Sequence, residues 1–473
     1  MSTDSSRLDR GSPTTRGLFA HAALLPDGWR RNVTLQWNAT GELSAVQADT
    51  ANTTGLPIAH GPVLPGMPNL HSHAFQRAMA GLTETRGHPA DSFWSWRNLM
   101  YRFAGRLQPE DLEAIARHLY IEMLRAGYTS VCEFHYVHHA VGGQAYANPA
   151  EHAERVLHAA QDAGIGMTLL PVLYQYSGFG QTPPLEHQAR FVTSPDWIAE
   201  LLARLRRSHP AHGTLRYGVA PHSLRAVAQD TLTPLIAELR GIDPAMPVHI
   251  HIAEQEQEVE ACVAACGQRP VEALFERQPV DAHWCLVHAT HMSDAEYRLT
   301  ARSDAVVGLC PTTEANLGDG VFDARRYFDD GGRWGIGSDS QVCVSPAAEL
   351  RLLEYGQRLL HRRRNVLASD AAPAVADRLY LDAVRGGAVA SGHPLAGLAA
   401  GQRADLVILD ATHPDFAHRP LEQLLSAMVF CEHGHAPVRD VFVAGRQVID
   451  NGVHALQEQA AAQYRRTLAS LLG

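Results

Sequence analysis

Two patterns of apolar and polar positions divide the chain. From 17 to 60, short runs such as Val33-Thr34-Leu35-Gln36-Trp37 alternate with turn residues such as Gly41-Glu42. A period of two suits the strands of a small antiparallel sheet. From 61 the pattern becomes strand, loop, helix, repeated. Apolar runs mark strands near 61–71, 128–134, 165–173, 215–220, 247–252, 285–289, 305–310 and 334–338. Amphipathic segments lie between them. In one, Leu112, Ile115, Leu119 and Met123 fall at helical spacing, and Trp197 to Arg206 is another. Eight such units predict an α/β fold, a (β/α)8 TIM-like barrel, and the run exceeds the roughly 250 residues such a barrel needs. A doubly wound open sheet is the competitor, but no Gly-x-Gly-x-x-Gly opens the first unit. Residues 400–455 return to short strands, clearest at 405–409 and 441–445, and the end of the chain reads as helical. The expected organisation is a disordered tail over 1–16, a small β-sandwich domain from 17–60 plus 400–455, the barrel over 61–399, and a helix over 456–473.

Composition narrows the chemistry. The chain has 473 residues, 45% of them hydrophobic, which is ample for a large core. A formal net charge of −10 offers no footprint for nucleic acid or an anionic membrane. All 40 basic residues are arginine. That rules out a phosphate-loop lysine, a lysine Schiff base and a carbamylated-lysine metal bridge. Seven dispersed cysteines without a Cys-x-x-Cys point to a reducing, cytoplasmic setting, and Cys262 and Cys266 read as packing residues. The first 16 residues lack the apolar core of a secretory signal. No apolar stretch nears the roughly 18 residues of a membrane span.

In a barrel of this kind, functional groups sit at the C-terminal ends of strands. The first expected strand ends in His71-Ser72-His73, whose two imidazoles share one face. With 27 histidines, such a pair alone decides little, and His249/His251 is another. The fifth strand ends in His251, with Glu254 three residues on; the sixth ends in His288; the eighth leads to Asp339. Each of these alone is as well explained by a capping carboxylate or a hydrogen-bonded core histidine. Together, at one end of the strands, they indicate a metal centre. Three histidines and an aspartate satisfy a zinc-like ion and leave a place for water, which the ion acidifies. Glu254 then suits proton transfer to a leaving nitrogen, and His288 the orientation of water or substrate.

The set Pro65-Gly66-Met67-Pro68-Asn69-Leu70-His71-Ser72-His73, His251-Ile252-Ala253-Glu254, His288 and Gly337-Ser338-Asp339 resembles the amidohydrolase superfamily. Within its deaminase branch the chain is most similar to the formimidoylglutamate deiminase family. That similarity rests on the stretches 69–77, Trp94-Ser95-Trp96-Arg97, Glu133-Phe134-His135-Tyr136 and Pro221-His222-Ser223-Leu224-Arg225. The resemblance implies one Zn2+, or another divalent metal such as Fe2+, on His71, His73, His251 and Asp339. It implies catalytic roles for Glu254, His288 and Asp339, and substrate contacts from Gln76, Arg97, Tyr136, His222 and Arg225. The implied reaction is hydrolysis of N-formimino-L-glutamate to N-formyl-L-glutamate and ammonia, in histidine degradation. Two carboxylates in that substrate would want forked arginine partners, and Arg97 and Arg225 lie in expected strand-end loops, the first in a mobile lid. Another deaminase of the same fold, acting on guanine, an adenosine derivative or a triazine, with Trp94 and Trp96 open to stacking a purine ring, and a non-catalytic scaffold are the rivals. The expected partner is a small-molecule substrate, with no nucleic acid or membrane, and the expected assembly is a homodimer.

Overall fold

The computed structural model describes residues 16–53, 55–85, 93–431 and 437–473. The polar tail expected over 1–16 therefore lies outside the described residues, except Arg16.

Sixteen strands follow in chain order. They are β1 (Gly17–Leu25), β2 (Gly28–Trp37), β3 (Leu43–Gln47), β4 (Val63–Pro65), β5 (Met67–Ser72), β6 (Tyr128–His135), β7 (Gly166–Leu173), β8 (Leu215–Tyr217), β9 (Ala220–Pro221) and β10 (Val248–Ile252). After them come β11 (Trp284–His288), β12 (Val306–Leu309), β13 (Arg333–Ile336), β14 (Leu406–Leu409), β15 (Val438–Val443) and β16 (Arg446–Ile449).

From β5 to β13 the strands run parallel, with helices between them. The fourth barrel strand is broken into β8 and β9. Single bridges close the ring, Val219 to Val248 and Ser223 to His251 on one side, Ser72 to Asp339 on the other. The (β/α)8 barrel is therefore complete. Its strands lack a polar alternation facing water because both faces are buried, as β6 and β7 are along their whole length.

Both ends of the chain build a second sheet, in the order β16-β15-β14-β4-β1-β2-β3. It is one continuous sheet, curled so far that Trp37 on β2 and Phe442 on β15 meet with ring centroids 6.1 Å apart. The curl gives it the facing halves of a sandwich. In β1, Ala23 and Leu25 pack inside the curl, while Ala22 and Leu24 pack toward the barrel core. The strand expected over 61–71 is also two strands, divided at Gly66. β4 pairs with β1 and β14 in the curled sheet, and β5 starts the barrel. The terminal helix Gln457–Leu472 stacks Tyr464 on His118, centroids 4.4 Å apart, and its hydroxyl donates to the Arg77 carbonyl at 3.2 Å. Of the two cysteines read as packing residues, Cys262 is buried but Cys266 is exposed.

Gly337 sets how closely the two sides of the ring approach at the site. A Cβ there would lie 2.8 Å from His71 Cβ and from the His71 backbone nitrogen. Gly337→Ala should push β5 away from β13, costing about 1–3 kcal/mol as overpacking does. Its thermal midpoint should fall below that of wild type. Gly241 lies in the helix Gln229–Ile242 with nothing within 4 Å of its would-be Cβ. Gly241→Ala should hold or raise the midpoint, by up to about 1 kcal/mol in stability.

Candidate active site

The barrel closure brings three strands' worth of ligand-type side chains to one point. His71 Nε2 lies 3.1 Å from His73 Nε2 and 3.0 Å from His251 Nε2. Asp339 Oδ1 lies 3.4 Å from the first and 3.3 Å from the second. Two backbone hydrogen bonds fix the carboxylate's position, His73 N–H to Asp339 O at 3.1 Å and Asp339 N–H to His71 O at 3.0 Å. The backbone is left-handed at Ala253 (φ 50°), His288 (φ 67°) and Asp339 (φ 44°), a concentration of unfavourable conformers typical of functional sites.

The donor set fits a divalent cation. His73 Nδ1 is 3.0 Å from the Phe134 carbonyl and His251 Nδ1 is 3.0 Å from the His222 carbonyl. A carbonyl only accepts, so both Nδ1 atoms carry the hydrogen and both Nε2 lone pairs face inward. Burial lowers the pKa of His71 to about 3, and it also lowers those of His73 and His251, so the rings are neutral at pH 7. Burial works against the Asp339 carboxylate, but the His71 contact and the neighbouring histidines hold its pKa below the usual range. Inward lone pairs and a carboxylate about 3.3 Å apart match the edges of a tetrahedron with metal–nitrogen bonds near 2.0–2.1 Å.

Glu254 and His288 stand beside this cluster. His288 Nε2 is 3.7 Å from Glu254 Oε1 and 3.8 Å from Asp339 Oδ2. Burial raises the Glu254 pKa to about 7; His288 opposes the rise and Asp339 adds to it. Burial would lower His288, but Glu254, Glu314 and Asp339 around it raise its pKa to about 10. His249, the other half of the second His-x-His, is a core histidine, with Nε2 2.8 Å from the Ala390 carbonyl.

One cavity joins these groups to the expected substrate contacts. Gln76, Arg97, Tyr136, His222, Arg225, Glu254, His288 and Asp339 all line it, with His73 and His251. Gln76 donates to the Tyr136 hydroxyl at 2.8 Å. Arg97 sits on the helix Phe93–Ala104, where a loop was expected; Phe93, Met100 and Phe103 are buried and hold that helix over the barrel mouth. Arg97 lies over the Trp94 ring at 4.4 Å, and Arg225 lies 5.6 Å from the same ring. The Nε atoms of both arginines are buried and make no hydrogen bond.

Other groups had no assigned role in the sequence reading. Glu133 accepts from Ser72 Oγ and the Ala74 N–H, both at 2.7 Å, and from the Tyr120 hydroxyl at 3.1 Å. It thereby clamps the turn that carries His71 and His73. Glu314 lies 3.3 Å from His288 Nδ1, and Asp319 accepts from Gln255. Glu133 left one signal, a carboxylate inside a strand that is buried along its whole length. Glu314 and Asp319 follow β12, where no strand-end pattern marks them.

Comparisons with known proteins agree with this geometry. Residues 63–448 match the model of the amidohydrolase family, and residues 15–55 match that of the formimidoylglutamate deiminase HutF N-terminal domain. The chain is 52% identical over 455 residues to formimidoylglutamate deiminase of Pseudomonas aeruginosa, covering 96% of this chain and 99% of that one. A crystal structure of an amidohydrolase from Brucella melitensis superposes with a TM-score of 0.90 at 46% identity, covering 97% of this chain and all of that one. An adenosine deaminase from Xanthomonas campestris, solved with bound zinc, shares the fold at a TM-score of 0.80 and 20% identity, covering 96% of this chain and 98% of that one. With matches of this extent, and a barrel that carries the histidine and aspartate cluster at its strand ends, the chain belongs to the amidohydrolase family.

Proposed function

We propose that the chain is a metal-dependent deiminase that hydrolyses N-formimino-L-glutamate to N-formyl-L-glutamate and ammonia. The observation that carries this reading is the pair of buried guanidiniums, Arg97 and Arg225, in the cavity that also holds the ligand cluster and Glu254. A cavity with two arginine forks, each with an Nε that makes no hydrogen bond, suits a ligand with two carboxylates. A purine reading is weaker, because Trp94, which could stack a flat ring, lends its face to Arg97.

His71, His73, His251 and Asp339 hold one divalent cation, zinc being the first choice, and without lysine the chain has no carbamylated bridge to a second. Such an ion makes hydroxide available near neutral pH. Glu254, buried and with its pKa near 7, takes the proton of the attacking water. His288 and Asp339 orient that water toward the formimino carbon. The C=N carbon becomes tetrahedral as Glu254 delivers that proton to the terminal nitrogen. The new hydroxyl then gives up its own proton, which Glu254 passes to the same nitrogen; the C–O bond becomes the formyl C=O, the C–N bond breaks and ammonia leaves. Arg97 and Arg225 hold the two carboxylates, and His222, Tyr136 and Gln76 complete the pocket around the chain of the substrate.

Three outcomes test the scheme. Elemental analysis should find one divalent ion per active chain, and His251→Ala should lose ion and activity together; two tightly held ions would contradict the single-metal centre. Glu254→Gln should keep its ion and lose roughly a hundred- to ten-thousand-fold in kcat. Arg97→Met and Arg225→Met should each lower kcat/KM for N-formimino-L-glutamate at least about tenfold, with no rescue by lysine, which lacks the fork. An ammonia-release assay in which wild type prefers adenosine or guanine would overturn the substrate and leave the hydrolase.

A further inference from the structure

Glu258 lies on the helix Glu256–Cys266, one turn beyond Glu254, and its side chain is 1% exposed. It does not line the cavity. Its two oxygens face different partners. Oε2 accepts the backbone N–H of Glu254 at 3.1 Å. Oε1 faces Arg225 Nε at 3.9 Å, beyond hydrogen-bond range, and neither atom has another hydrogen-bond partner. Burying a carboxylate is costly unless its charge is matched. The bond to the Glu254 amide does not require that charge, since a neutral amide oxygen would accept it equally well. Among the described residues the ion-pair partner of Glu258 is Arg225; burial disfavours the ionised guanidinium and Glu258 favours it.

We propose that Glu258 is a positioning residue that joins the two halves of the site. One oxygen holds the main chain of Glu254 just after the left-handed Ala253. The other holds the Arg225 guanidinium from outside the cavity. The fork is thereby aimed at a substrate carboxylate and kept apart from Arg97, with which it would otherwise repel over the shared Trp94 ring. This inference rests on the reading of Arg225 as a carboxylate partner.

The test compares Glu258→Gln with Glu258→Ala in metal-loaded enzyme, using kinetics on N-formimino-L-glutamate and calorimetric binding of glutarate, a plain dicarboxylate. Glutamine keeps the acceptor for the Glu254 amide and loses the charge. It should raise KM and weaken glutarate about tenfold, the equivalent of one charged hydrogen bond, while kcat changes far less. Alanine should add a loss in kcat of about tenfold or more, because Glu254 is no longer held. If Glu258→Gln matches wild type in both KM and glutarate affinity, or loses kcat as fully as alanine with KM unchanged, Glu258 is only a main-chain prop. Should the alanine variant not fold, glutamine alone decides. If wild type releases no ammonia from N-formimino-L-glutamate, the substrate reading fails, and the glutarate comparison still decides the pairing. Wild type that binds no glutarate overturns both.

Discussion

Everything at the mouth of this barrel depends on lone pairs that point at one another. The Nε2 atoms of His71, His73 and His251 lie about as close as ligands on one ion, and in His73 and His251 the Nδ1 hydrogens are committed to main-chain carbonyls, which leaves their Nε2 lone pairs facing inward. Such an arrangement is repulsive on its own and strongly attractive to a cation. The fold has to impose it, and it does so through covalent and backbone constraints. His71 is on β5 and His73 directly follows its end, Asp339 is bonded to them through the backbone, and His251 is held by the His222 carbonyl at the end of the neighbouring barrel strand.

Around this point the protein arranges charge in pairs. His288 stands between Glu254, Glu314 and Asp339, so its positive charge is favoured despite burial. The neutral histidines next to it are lowered by the same burial, with fewer anions to oppose it. One low-dielectric environment therefore gives imidazoles of opposite character a few ångströms apart, one set suited to bind a cation and one to act as a cation. On the far wall, Arg97 and Arg225 bring two positive charges into a space lined by Phe93, Trp96, Tyr101 and Phe191. A cavity that holds both arginines beside the buried Glu254 and the histidine and aspartate cluster suits an anionic ligand, which is the basis of the proposed substrate.

Much of this was legible along the chain. Period-two runs marked the terminal sheet, and eight apolar runs separated by amphipathic segments marked the barrel. The residues at the ends of those runs marked the site, because the parallel barrel brings all C-terminal ends to one face. His71, His73, His251, Glu254, His288 and Asp339 could be chosen for that reason, without knowing any distance.

Other features required the closed ring. That β4 leaves the barrel for the curled sheet, and that β1 is buried on both faces, follow from how two bodies pack, and local periodicity carries no record of it. Arg97 reads as a loop residue in the sequence and is helical in the fold, since the aromatic face of its helix is satisfied only by the barrel mouth beneath it. Glu133 reaches Ser72, 61 residues away, Glu314 reaches His288, 26 residues away, and Glu258 acts through Arg225 across strands. The sequence by itself determined which residues could hold a metal and move a proton, because those properties belong to the side chains and their strand positions. Tertiary structure decided which carboxylates are charged, which arginine nitrogens are left without hydrogen bonds and which histidine is a core residue, because those properties arise only when distant segments exclude water from one another.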